Sequence, residues 1–98
     1  MVVTMLEALV APEKKEDLLR EYRGGTDSLP PFIVESFLLQ ERDTRSWRIV
    51  TVWRSSEELE AYRSSVETPE GVRIFRAVGS EPTLTILEVA VHAARPSG

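Results

Sequence analysis

Ninety-eight residues with 42% hydrophobic and 29% charged side chains describe one folded domain, not a disordered chain. A net charge of −4 and a pI near 5.0 argue against nucleic acid as a general partner, because phosphate binding needs an excess of Lys and Arg on one face. The absence of cysteine removes disulfides, thiolate nucleophiles and Cys-ligated metals together; with no apparent secretion signal or apolar span of membrane length, it predicts a cytoplasmic protein without a membrane partner.

Val2 to Ala11 is rich in aliphatic and β-branched residues and predicts a first strand. Pro12 suits the first turn of a helix, where a missing N–H costs nothing. Leu18, Leu19 and Tyr22 form its apolar stripe, and Gly24-Gly25 predicts its end. After a loop from Thr26 to Pro31, Phe32–Gln40 and Trp47–Trp53 predict two strands joined by the polar turn Glu41–Ser46, hence an antiparallel hairpin. Ser55 and Glu58 have capping-box spacing, so a second helix starts there, with Leu59, Tyr62 and Val66 on one face. Thr68 as cap and Pro69 at the first position predict a third helix carrying Val72, Phe75 and Val78, ended by Gly79. Thr83–Ala93 predicts the last strand.

The order β-α-β-β-α-α-β predicts an α+β, ferredoxin-like βαββαβ fold with a four-stranded antiparallel sheet and helices on one face. The domain is expected over residues 1–94, with a flexible tail over 95–98. One sheet face should then be polar, yet the strands do not alternate cleanly. Ile33, Phe37 and Leu39 are assigned to one face of the second strand and Phe32, Val34 and Leu38 to the other; Ile49 and Trp53 oppose Val50 and Val52 in the third. Two apolar faces predict a homodimer through the sheet.

The segment Ile49-Val50-Thr51-Val52-Trp53-Arg54-Ser55-Ser56-Glu57-Glu58-Leu59-Glu60-Ala61-Tyr62 joins a strand ending in Trp to a Ser-capped acidic helix start and then an aromatic. In this and in Pro31-Phe32 before the second strand, the chain resembles the antibiotic biosynthesis monooxygenase family of dimeric α+β barrels, over about residues 2 to 93. The resemblance implies a homodimer, a small aromatic ligand and, among the family's activities, a quinol- or anthrone-type monooxygenase that needs no cofactor and no metal. Haem-degrading members use an Asn on the first strand, a Trp on the second helix and a His on the next. The matching places here are Ala8, Tyr62 and Val72, so haem degradation by that triad is not expected.

A cofactor-free oxygenase needs an apolar pocket, a base and a donor for a developing oxyanion. Phe32, Phe37, Trp47, Trp53 and Phe75 are candidates for the pocket wall, and Tyr62 for the donor. His92 is the one side chain that ordinarily titrates near neutrality, and it shares a strand face with Glu88; both are candidate catalytic groups. Each has a plainer reading: Trp53 as a core residue packed under the second helix, Tyr62 as part of that helix's apolar stripe, His92 as a solvated residue at a strand end. Glu7, Glu35 and Glu88 lie in apolar strands and could instead pair with Arg48, Arg54 or Arg73. With so few acid–base groups, a non-catalytic dimeric ligand-binding or stress-related protein of the same fold is the alternative.

Overall fold

The computed structural model describes residues 1–96. Its elements are β1 (Val2–Leu9), a 3-10 turn (Pro12–Lys14), α1 (Lys15–Gly25), β2 (Ile33–Gln40), β3 (Ser46–Trp53), α2 (Ser56–Ser65), α3 (Glu70–Ala77) and β4 (Thr83–Glu88). The four strands form one antiparallel sheet in the order β2-β3-β1-β4. This is the α+β, ferredoxin-like arrangement read from the sequence.

The helices cover one face. β1 turns Val2, Thr4, Leu6 and Ala8 toward them, and β3 turns Trp47, Ile49 and Trp53. The larger core joins Leu6, Ala8, Trp47 and Ile49 to Leu18 of α1 and to Ile74, Phe75 and Val78 around α3. A smaller cluster joins Val2, Trp53 and Leu59, with Phe32, Ile33 and Tyr62 against it. Ile74, outside the predicted stripe of α3, is as deeply buried as Phe75.

Several helix ends differ in detail from expectation. α1 runs through Gly25 and ends at Thr26, whose backbone N–H and Oγ1 both donate to the Tyr22 carbonyl. Gly25 serves close packing instead: a Cβ there would stand 2.5 Å from Glu70 Oε1 and 3.0 Å from Ile74 Cδ1. α3 takes Pro69, not Thr68, as its N-cap and begins at Glu70. Gly79 ends it with φ at +80°, a conformation that costs a glycine little.

Ser55 caps α2 as expected, accepting from the Glu58 N–H at 3.2 Å. The Glu58 carboxylate accepts from Ser55 Oγ and from the Arg54 guanidinium. These two donors hold its carboxyl below the usual carboxylate value of 4.5. Arg76 does the same for Glu81. Both carboxylates face solvent, which screens the pairs and keeps the effect small. Because the folded state holds these protons less tightly than the unfolded chain, the contribution is present above pH 4.5 and is lost on acidification below it. The variant Glu58→Gln is therefore expected to lower the melting temperature slightly at pH 7 and to converge with the wild type at acid pH, which flattens the acid limb of the melting temperature–pH curve. An acid limb identical to that of the wild type would refute the assignment.

The opposite face of the sheet has no covering layer among the described residues. A register shift between Ile33 and Glu35 sends Ile33 to the helix side, opposite Trp53, while Phe37 and Leu39 point away. This corrects the expected grouping of these three on one face. The open face carries Val3, Met5, Val50 and Val52 on the central strands, with Phe37, Leu39 and Leu87 exposed by 43%, 45% and 47%. Arg48 crosses this face to Glu7 at 2.5 Å and Glu41 at 3.6 Å, so Glu7 is an ion-pair partner.

β4 stops at Glu88, short of the expected Ala93. Glu88 pairs with Val2, and beyond it the Val89 N–H reaches Met1 O. Val91 is 88% exposed, and His92 is exposed too. Of the tail expected over 95–98, Ser97 and Gly98 lie outside the described residues. Among the described residues no helix is long and apolar enough to cross a membrane.

Candidate functional site

A cavity of about 280 Å³ lies between the helix-side face of the sheet and the three helices. The wall is mainly apolar, from Leu6, Ile33, Ile49, Leu59, Val72 and Ile74. Gly71 lets α3 press onto β1, since a Cβ there would stand 2.6 Å from Leu6 Cδ1.

Trp53 and Tyr62 form one side. Their ring centroids are 5.3 Å apart, tilted by 46°. Phe32 stacks on Trp53 at 5.9 Å and 10° and backs both rings. Trp53 Nε1–H donates to the buried Thr4 Oγ1 at 2.9 Å, fixing the indole. Substituting Thr4→Val keeps the shape and leaves that buried N–H without its acceptor. The expected cost is about 1–3 kcal/mol of stability, read from denaturant unfolding; a loss below about 0.5 kcal/mol would show that the bond is dispensable.

The Tyr62 hydroxyl oxygen accepts from the Glu70 backbone N–H at 2.9 Å, so the phenol caps the first turn of α3. Its own proton is not engaged by another described residue and is free for the cavity. A second polar group stands on α1, β2 and β3. Tyr22 Oη donates to Ser36 Oγ at 2.9 Å, and Ser36 Oγ lies 3.5 Å from Thr51 Oγ1. The Glu70 carboxylate is engaged by Arg73, which also reaches Glu21. Arg63 pairs with Glu60 at 3.6 Å. No group of three or more His, Cys, Asp or Glu side chains able to hold a metal occurs among the described residues.

Of the residues singled out in the sequence, Tyr62 and Trp53 line the cavity, and Phe32 supports them from behind. The structure does not bring the others there. Phe37 lies on the open face, and Trp47 and Phe75 are in the larger core, with Lys15 Nζ 6.0 Å from the Trp47 ring. Glu88 and His92 are exposed at and beyond the end of β4. Tyr22, Ser36 and Thr51 were not foreseen as site residues. The available signal was the polar pair Ser36 and Thr51 facing the helices from two otherwise apolar strands.

No curated protein matches the chain in sequence. Among solved structures, an antibiotic biosynthesis monooxygenase is similar, with a TM-score of 0.70 at 13% identity over 93% of this chain and 100% of that one. A Deinococcus radiodurans protein of the same description gives a TM-score of 0.65 at 15% identity over the whole of both chains. The haem degrader MhuD of Mycobacterium tuberculosis, with two haems in its active site, gives 0.69 at 18% identity over 96% of this chain and 100% of its own. At these identities the likeness shows the fold. The sequence profile of the antibiotic biosynthesis monooxygenases matches residues 1–74, three quarters of the chain, and the chain belongs to that family.

Proposed function

We propose that this protein is a cofactor-independent monooxygenase acting on a small aromatic, quinol-type compound, and that it works as a homodimer closed through its open sheet faces. The observation that carries the reading is the mainly apolar cavity walled by Trp53 and Tyr62, where the Tyr62 oxygen already accepts from Glu70 N–H and its proton is left to donate. An electron-rich phenol or quinol can react with O₂ once deprotonated, because its own anion supplies the electrons. The protein then has to exclude water, hold the ring and stabilise the oxyanion.

Haem is a poor fit for this cavity. The only histidine is His92, exposed beyond β4, and there is no cysteine. Val72 is in the wall where haem-degrading members resemble this chain but carry His, and Ala8 is buried in the core where they carry Asn.

The wall offers no carboxylate free of an Arg partner and no imidazole. Deprotonation is therefore assigned to the substrate's own acidity, aided by the hydroxyl donors. The test is oxygen uptake by the purified protein with a panel of quinols and anthrones. Turnover above the uncatalysed rate is expected, with His92→Ala within twofold of the wild type. No turnover across the panel would reject the oxygenase reading. The same lack of an acid–base group favours a second reading, a dimeric ligand-binding protein without catalysis. A bound aromatic compound recovered from the protein, together with no turnover, would decide for it.

A further inference from the structure

Two separate hydroxyl groups stand in the mainly apolar cavity wall, which also includes Thr4, already bonded to Trp53, and Glu70, already paired with Arg73. One is the Tyr22–Ser36–Thr51 cluster; the other is Tyr62. They stand one strand repeat apart. Thr51 and Trp53 are two residues apart on the same face of β3, hence roughly 6.6 Å, and Tyr62 packs against Trp53.

Each group has a donor to offer. Ser36 Oγ already accepts from Tyr22, and its nearest acceptor, Thr51 Oγ1, is 3.5 Å away. Hydroxyl pairs prefer about 2.7–2.8 Å, so that contact is weak and the Ser36 proton is poorly used. The Tyr62 oxygen accepts from Glu70 N–H, which leaves its proton to point elsewhere. A hydroxyl facing apolar walls without a good acceptor is costly, and a ligand oxygen would relieve both sites. The volume limits what can carry those oxygens. A cavity of about 150 Å³ admits benzene, so about 280 Å³ suits two fused rings.

We propose that the Tyr22–Ser36–Thr51 cluster is an oxygen-binding subsite, and that with Tyr62 it selects a bicyclic aromatic oxygenated at both ends of one ring. This rests on the aromatic-ligand reading above and adds its size and oxygen pattern. The Tyr62 end holds one oxygen and the Ser36 end holds the other.

The test is equilibrium dialysis of the whole chain with naphthalene, 1-naphthol, 1,4-naphthoquinone and 9,10-anthraquinone. The absence of cysteine removes the usual thiol addition to quinones. In the wild type, 1,4-naphthoquinone is expected to bind best. The variants Ser36→Ala, Tyr22→Phe and Tyr62→Phe should each weaken it about five- to tenfold, the worth of one hydrogen bond. Naphthalene should change less than twofold in all three, a separation that mere loosening of the wall would not produce. 1-Naphthol, with one oxygen, should respond to only one of the two ends. Anthraquinone, one ring longer, should bind at least tenfold more weakly than naphthoquinone. If naphthoquinone binds and Ser36→Ala and Tyr22→Phe leave its affinity unchanged, the subsite is overturned while the aromatic-ligand reading stands. Anthraquinone binding as well as naphthoquinone overturns the size limit. If no probe binds, both the subsite and the aromatic-ligand reading fall.

Discussion

Placing a charge at the centre of the open face, with Val50→Asp, is expected to convert a dimer of about twice 11.1 kDa into an 11.1 kDa monomer at micromolar concentration. Val50 is on a central strand, directly across from Met5 on one side and Phe37 on the other. In the monomer its side chain is partly exposed on the open face, so aspartate can reach water there and the fold should survive. In a sheet-to-sheet dimer the same carboxylate would enter an apolar layer without a partner. Truncations at such central positions already cost about 2 kcal/mol or more. A two-fold axis presents every residue twice, so the substitution acts at two places. Together they amount to about 4 kcal/mol, a dissociation constant raised on the order of a thousandfold. Light scattering and circular dichroism check both halves of the expectation. A wild-type protein already monomeric at micromolar concentration, or a Val50→Asp variant still dimeric there, would reject the sheet-to-sheet arrangement.

That face was legible in the sequence because apolar residues fall on both sides of the second and third strands. The strand order and the hairpin followed from short connections and turn chemistry, and the Ser55 cap from residue spacing alone. Less legible were features set by partners distant in the chain. The irregularity at Ile33 depends on how β2 meets Trp53, so a strict period of two misassigns Ile33. The composition of Thr83–Ala93 suits a strand throughout, but the ladder with β1 ends at the Val2–Glu88 pair. The candidate site suffered most. Aromatic residues attract attention as pocket walls, yet Phe75 and Trp47 satisfy core packing and Phe37 belongs to the other face. The cavity instead gains its polarity from Tyr22, Ser36 and Thr51, short or ordinary side chains whose convergence needs α1, β2 and β3 to be placed together.

Tyr62→Phe is expected to lower kcat on the order of a hundredfold while changing KM for an oxidisable substrate by less than tenfold. The reason is the direction of its hydrogen bonds. Glu70 N–H occupies the acceptor side of the phenol, so the remaining proton can be donated into the cavity, toward an oxygen that becomes more negative as the ring gives up its electrons. An interaction stronger in the transition state than in the ground state appears in kcat, and loss of one such donor typically costs about 10²–10³. The ring itself stays, so its packing on Trp53 and Phe32 is unchanged. Glu70 N–H loses its acceptor, but it lies in the partly exposed first turn of α3, where water can replace it, and the stability change should be no more than about 1 kcal/mol. A variant with normal kcat and raised KM would make Tyr62 a ground-state binding group only. One with normal values of both would reduce it to a wall residue, and would move the oxyanion donor to the Ser36 or Thr51 hydroxyl of the cavity wall.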